Sequence, residues 1–218
     1  MTRPREGPWA EIWCALDINN LLLHGAYSMR RLLIGGGGAV FTGLVIGVIT
    51  GYFEIPRRIL SPLVYVLAPV PKITLLPLVM MTFGIGDMAK IFLIFIIMVF
   101  QVIFAVSGAA SRIPAEYFLP LKAAKAGTFF IIWRVVLPAC MPELFTAVRI
   151  GLATGISALF FAEAFGTRRG LGFFIMDSWT RLNYPNMLQG IVSMALLGLA
   201  LTVLTDLIER YVCRWRKQ

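Results

Sequence analysis

Charge is scarce in this sequence, and acidic charge is scarcer still. Of 218 residues only 14% are charged, with 20 Lys and Arg against 11 Asp and Glu. Soluble globular domains carry about 25% charge, so the composition excludes an ordinary soluble fold. Histidine occurs once, at His24, and the three cysteines, Cys14, Cys140 and Cys213, lie far apart. They build no metal-ligand spacing and no disulfide framework. No Ser-His-Asp set and no carboxylate pair is present, so no catalytic or metal site is expected, and His24 is expected at the surface. No GxxxxGK[ST] phosphate cradle occurs: the run Gly35 to Gly38 lacks the lysine and lies within an apolar segment. Nucleotide chemistry therefore has no place in this chain. The net charge of +9 does not imply nucleic-acid binding, because the basic residues are dispersed between apolar runs and form no contiguous face. The first 30 residues lack an apolar core and scatter Arg3, Arg5, Glu6, Glu11 and Asp17, so a cleavable signal peptide is not expected.

What the chain does have is apolar length. Hydrophobic residues make up 59% of it, and its mean hydropathy is +0.82. Segments 32–53, 60–83, 88–110, 141–165 and 187–208 are each long enough to cross about 30 Å of hydrocarbon as a helix. The expected fold class is an all-α integral membrane protein with five transmembrane helices. Residues 1–30 form an N-terminal arm. Within it, residues 9–24 mix Trp9, Ile12, Trp13 and Leu21 to Leu23 with Glu11, Asp17, Asn19 and Asn20, which suits an interfacial helix. A membrane domain covers 31–210, and 211–218 is a basic tail.

Small residues recur every fourth position in the first segment, at Gly35, Ala39, Gly43, Gly47 and Gly51. That spacing lets two helix backbones approach closely in lipid, within one chain or between two. The second segment carries Pro62, Pro69, Pro71 and Pro77. Proline frees backbone carbonyls and bends a helix, as a path-lining helix or a merely bent one would be. Lys72, beside the Pro69-Val70-Pro71 break, either lines an aqueous path or snorkels.

Residues 111–136 are neither loop-like throughout nor long enough to span. They hold Arg112, Glu116, Lys122, Lys125 and Arg134, punctuated by Pro114, Pro120 and Gly127. A short helix near 115–126 and a second, amphipathic one near 128–137 are expected. Placing this loop in the cytoplasm also places Arg57, Arg58 and the tail Arg210, Arg214, Arg216 and Lys217 there. Lys90, Arg168, Arg169 and Arg181 then lie outside, as the positive-inside rule asks. The arm, with Arg3, Arg5, Arg30 and Arg31, falls outside and runs against that rule.

Charges within an apolar helix are expensive and signal a purpose. Arg149 and Glu163 both lie in the fourth segment, ~21 Å apart along a helix and close to one face. Arg149 reads either as a pathway cation or as an anchor toward the cytoplasmic loop. Glu163 lies near the outer end, ahead of Gly170-Leu171-Gly172.

From Tyr27 to Arg216 the chain resembles the inner-membrane permease subunits of bacterial ABC importers of the nitrate/sulfonate/taurine/bicarbonate type. The residues that carry the likeness are the entry Ser28-Met29-Arg30-Arg31-Leu32-Leu33-Ile34-Gly35, the Pro-rich Leu67-Ala68-Pro69-Val70-Pro71 with Leu75-Leu76-Pro77-Leu78 and Phe83-Gly84-Ile85-Gly86, and the loop Ile113 to Pro138. The sequence departs from the family in two places. Members usually have six helices, and Leu121-Lys122-Ala123 stands where their loop reads Glu-Ala-Ala. The resemblance implies a type I importer permease in the bacterial inner membrane, dimerising with a second copy. ATP and Mg would bind a separate ABC ATPase subunit, docked on Leu121, Lys122, Ala123, Ala124, Lys125 and Gly127. An external solute-binding protein would dock near Arg168 and Arg169. Lys72, Arg149 and Glu163 become translocation or gate candidates, for a small anion, sulfonate or vitamin precursor. An ion-coupled carrier would instead show repeated halves and midplane acids, a passive channel would need no companion, and a lipid enzyme would show a polar catalytic cluster at one face. The sequence has no repeated halves, and its span acids Glu163 and Asp206 lie near span ends.

Overall fold

The computed structural model describes residues 18–67 and 70–217. Among them the chain is all-helical, without strands. The helices are α1 Ile18–Tyr52, α2 Glu54–Leu67, α3 Leu76–Phe83, α4 Asp87–Ser111, α5 Leu119–Ala123, α6 Thr128–Ala164, α7 Leu171–Thr180 and α8 Tyr184–Val212. A 3-10 turn, Lys72–Leu75, leads into α3, and another, Ala115–Tyr117, precedes α5. Among the described residues, α1, α4, α6 and α8 are long and apolar enough to cross a membrane.

The expectation of five uninterrupted spans is corrected in the second segment. Residues 60–83 do not form one helix: α2 ends at Leu67 and helical structure resumes only at Lys72. Prolines at 69 and 71 remove two backbone donors and exclude a continuous ladder. Two further boundaries move. The first span starts at Ile18, not near 32, so residues 18–30 of the arm belong to a long helix; residues 1–17, with Cys14, lie outside the described residues. The separate amphipathic helix expected at 128–137 is the first part of α6. There the ladder widens into a π turn over Ile132–Val136, which makes room for Pro138, whose ring would otherwise meet the carbonyl of Arg134.

The glycine stripe of α1 packs against α4 within the chain. A methyl at Gly43 would stand 2.6 Å from Val102 Cβ, and one at Gly47 would stand 2.7 Å from Val106 Cβ. Gly35 lies on Ile91 and Ile94, and Gly51 lies on Ala110 and Ser107. The partner numbers rise together, so α1 and α4 run parallel. The 3-10 turn and α3 run antiparallel to α4, since Phe83 meets Phe92 while Lys72 reaches Phe100. Helix α6 runs antiparallel to α4, with Gln101 on Thr154 and the Cys140 thiol on the Val106 carbonyl. The core is the seam of α1, α4 and α6, where Leu32, Ile94, Met98, Leu152 and Leu159 are buried together. Cys140, Val102, Val106 and Leu144 are buried nearer the other end.

Candidate functional site

Where α4 begins and α6 ends, beside Arg31 in the body of α1, charges converge. Arg31 is buried, and its guanidinium sits between two acids. It donates to Asp87 Oδ1 from Nε at 3.0 Å and from Nη2 at 2.5 Å, and to Glu163 Oε1 from Nη1 at 2.6 Å. Glu163 is also fully buried. It accepts from the Ser28 hydroxyl at 2.8–2.9 Å and from the Gly172 N–H at 2.9 Å. The chain turning from α6 into α7 is held by the same groups. Arg31 donates to the Arg169 carbonyl, the Leu171 N–H donates to Ser28 Oγ, and the Gly170 N–H donates to His24 Nδ1. His24 is therefore buried, not at the surface. Its ring lies on Phe174.

This network explains the Gly-Leu-Gly turn. Gly170 has φ +127°, and a methyl there would run into the Glu163 carboxyl. At Gly172 a methyl would lie 2.7 Å from the Phe160 carbonyl. Glu163 is a buried pin for this turn and does not line the cavity described next. Arg168 and Arg169 are exposed beside it. The Arg169 guanidinium lies over the Tyr27 ring at 5.1 Å and bonds its hydroxyl.

The second polar locus lies deeper. Gln101 is near the middle of α4, about 21 Å from its start at 1.5 Å per residue. There Lys72, Ile73, Ile97, Gln101, Thr154 and Ser157 surround an open cavity of about 520 Å³. Lys72 Nζ donates to the Leu67 carbonyl at 3.4 Å and lies 5.1 Å from the Phe100 ring centre. Gln101 Nε2 donates to Thr154 Oγ1 at 3.1 Å, and its Oε1 is buried without a hydrogen-bond partner among the described residues. Ala153, Thr154 and Ser157 form an exposed face of α6. Sequence reasoning singled out Lys72 and missed Gln101, Thr154 and Ser157. A polar residue at the centre of a smooth apolar run was the signal for Gln101.

Arg149 joins neither locus. Its Nη2 donates to Asp206 Oδ1 at 2.7 Å and to Glu209 Oε2 at 2.6 Å, tying α6 to α8. Asp206 and Glu209 stand three apart, on one helix face, which was the available clue to this pairing.

On the side reached by the ends of α1 and α4, the segment 112–127 is compact. Ala124 N–H bonds the Pro120 carbonyl at 3.0 Å, and Ala126 N–H bonds the Leu121 carbonyl at 2.9 Å. Ala123, Ala124 and Lys125 are exposed, and the backbone of Lys122 is helical. The sharp turn falls at Lys125, with φ +54°, and not at Gly127. Gly127 is extended and caps α6, and a methyl there would meet nothing within 4 Å.

Comparison with known proteins bears on the family and the fold. The sequence pattern of one family, described as binding-protein-dependent transport system inner membrane component, matches residues 43–218. The taurine transport system permease protein TauC of Escherichia coli (strain K12) is 30% identical over 192 residues, 88% of this chain and 70% of that protein. The nitrate import permease protein NrtB of Leptolyngbya laminosa is 28% identical over 187 residues, 86% of this chain and 67% of that protein. A chain of the inward-facing MetNI methionine ABC transporter superposes with a TM-score of 0.77 at 22% identity, covering 97% of this chain and 99% of that one. At that identity the superposition speaks for the fold alone.

Proposed function

The chain belongs to the family of binding-protein-dependent transport system inner membrane components, and on that premise we propose that it forms half of a path for a small oxyanion. It is a transport subunit, and the ATP hydrolysis that drives it belongs to a separate subunit. Taurine and nitrate, named for two relatives, share one chemistry: a small, singly negative group ending in oxygens. A second copy supplies the other half of the path, in the inner membrane of a bacterium.

The supporting observation is convergence. Lys72, Gln101, Thr154 and Ser157 come from a broken segment and two helices, yet they face one cavity at mid-depth. A serine or threonine hydroxyl can satisfy itself on its own helix, as Ser157 does on the Ala153 carbonyl at 3.0 Å. A primary amide has no such refuge, and an ammonium is expensive in hydrocarbon even where it donates to a carbonyl, as Lys72 does to Leu67, so this face belongs against water and protein. Because α1 and α4 are parallel, residues 53–86 have to return across the bilayer. Helices α2 and α3, with the turn between them, make that return as a fifth, broken crossing with Lys72 at its interruption. Transporter binding sites favour interrupted helices near the midplane.

The partners follow from the two ends. Leu121, Lys122, Ala123, Ala124, Lys125 and Gly127 form the cytoplasmic surface that an ATPase subunit grips, with ATP and Mg bound there. Arg168 and Arg169 offer basic contacts to a solute-binding protein outside. The test is reconstitution. With ATPase and binding protein, vesicles take up labelled nitrate or taurine only with Mg-ATP; equal uptake by this chain alone overturns the reading.

A further inference from the structure

We infer that the C-terminal end of α8 binds the headgroup of an anionic phospholipid, with Arg210 and Arg214 on the phosphate and with Tyr211 and Trp215 at the level where acyl chain meets headgroup. The inference adds a lipid partner to the transport reading and does not depend on which solute the chain carries.

Three observations carry it. The first is the free side of α8. The helix meets the bundle on one face: Arg149 pairs with Asp206 and Glu209, and a methyl at Gly198 would stand 2.9 Å from Ile156 Cδ1. Leu196, Leu199, Val203, Leu207 and Tyr211 are exposed and recur every three or four residues, the spacing of a single helix face. At 3.6 residues per turn, Tyr211 stands roughly 140–200° around α8 from Asp206 and Glu209. On α6, Thr154 and Ser157 stand roughly 80–140° around the helix from Arg149. The mid-depth cavity, and the second copy that completes it, therefore lie away from α8, and lipid covers the stripe.

The second observation is length. Leu188 and Ile208 are the outermost exposed aliphatic residues of α8. They stand about 30 Å apart at 1.5 Å per residue, which is the thickness of the hydrocarbon layer. Tyr211 and Trp215 follow at once, 77% and 52% exposed. Tyrosine and tryptophan concentrate at headgroup level, so residues 210–215 fall in that layer. The third is charge. Arg210 and Arg214 are exposed and four apart. The acids beside them, Asp206 and Glu209, are engaged by Arg149 on the opposite side. An exposed guanidinium offers phosphate oxygens two parallel N–H donors. A headgroup held there steadies the turn that carries Glu209 to Arg149, and so gives α6 an anchor at the membrane surface.

The test uses the full chain in vesicles of equal parts phosphatidylcholine and phosphatidylglycerol, which differ in net headgroup charge. Cys14, Cys140 and Cys213 are replaced by alanine, and a bimane label is attached at Ile208→Cys or, for reference, at Val192→Cys, also exposed but near the other end of α8. Bromine on the acyl chains of one lipid or the other quenches the label, and the two efficiencies together give the relative occupancy of each lipid. A basic residue near an anionic surface is worth about fivefold in binding, so phosphatidylglycerol is expected to be favoured at Ile208 by at least about that factor, with no preference at Val192. Arg210→Gln combined with Arg214→Gln abolishes the preference, and the corresponding pair of lysine substitutions keeps it. If Ile208→Cys does not assemble, Leu204→Cys, exposed one turn earlier, carries the measurement. Equal quenching by both lipids at Ile208, the same preference at Val192, or a preference that survives the paired glutamines overturns the inference. Assembly with the ATPase subunit should leave the pattern unchanged; if it removes quenching by both lipids, the face is a protein contact and the lipid site falls.

Discussion

Arg31 and Glu163 show what a charge in an apolar chain is worth once its partner is known. Each is buried, and each is paired with groups far away in sequence: Glu163 lies 132 residues from Arg31 and 135 from Ser28. Removing one partner leaves the other as an uncompensated buried charge, at a cost of about 3–5 kcal/mol. Arg31→Ala should therefore lower the unfolding temperature of the purified protein sharply. Arg30→Ala should barely move it, because Arg30 meets the same Asp87 from a side chain that is 58% exposed, and such a pair is worth about 1 kcal/mol or less. Equal shifts in the two variants would mean that the network does not hold the turn. At this scale the sequence was half readable. The expense of Glu163 and Arg149 was visible, because charge in a long apolar run has few explanations. Their partners were not, since Arg31 sat in what read as an arm and Asp206 read as a span end. His24 was misread for the same reason: its acceptor role toward the Gly170 N–H depends on a turn that only the fold brings near.

Glycine spacing was the most informative pattern among the elements, and it makes a contrast that can be tested. Gly47→Leu forces a side chain into Val106 and the Ile103 carbonyl, where a methyl alone would already lie 2.7 Å from Val106 Cβ and 3.3 Å from the Ile103 oxygen. It should split α1 from α4 and abolish the monodisperse protein. Gly37 lies in the same helix but meets nothing within 4 Å. Gly37→Ala should be neutral or raise stability by about 0.4–1 kcal/mol, through reduced freedom of the unfolded chain. Size-exclusion profiles and thermal unfolding separate the two outcomes. A different logic applies at the segment 112–127, proposed as the docking surface for the ATPase. Ala123 is exposed and a methyl at Gly127 meets nothing, so Ala123→Trp and Gly127→Trp should leave the fold intact. Loss of the ATPase on co-purification would then report docking, and retention of it in both variants would move the docking surface elsewhere. Apolar runs located the long helices but not their limits. Helix α1 reaches back beyond its apolar segment with His24 packed on Phe173 and Phe174 of α7, and not in a uniform hydrocarbon slab. Segment 60–83 breaks because its prolines outweigh its hydrophobicity.

For the whole molecule, the parallel run of α1 and α4 decides the topology. Two parallel neighbours need a connection that crosses the full thickness between them. Tyr52 and Ser111 therefore share one side, and Arg31 and Asp87 share the other. Continuing the chain, Ala123 to Gly127 stay with Ser111, and α6 returns to bring Glu163 back to Arg31. The charge distribution points the same way, with Arg57, Arg58, Arg112 and Lys125 on the side of Tyr52. Single cysteines at Ile55, Lys125, Gly86 and Arg168, in a background without the native three, turn this into a measurement. In intact cells an impermeant maleimide should label the Gly86 and Arg168 positions, while those at Ile55 and Lys125 should react only after the membrane is opened. If Ile55 and Gly86 labelled from the same side, residues 54–83 would be a hairpin dipping into one leaflet. The parallel packing of α1 and α4 could not then hold, and the mid-depth cavity would lose Lys72, the only cation among the described residues that line it.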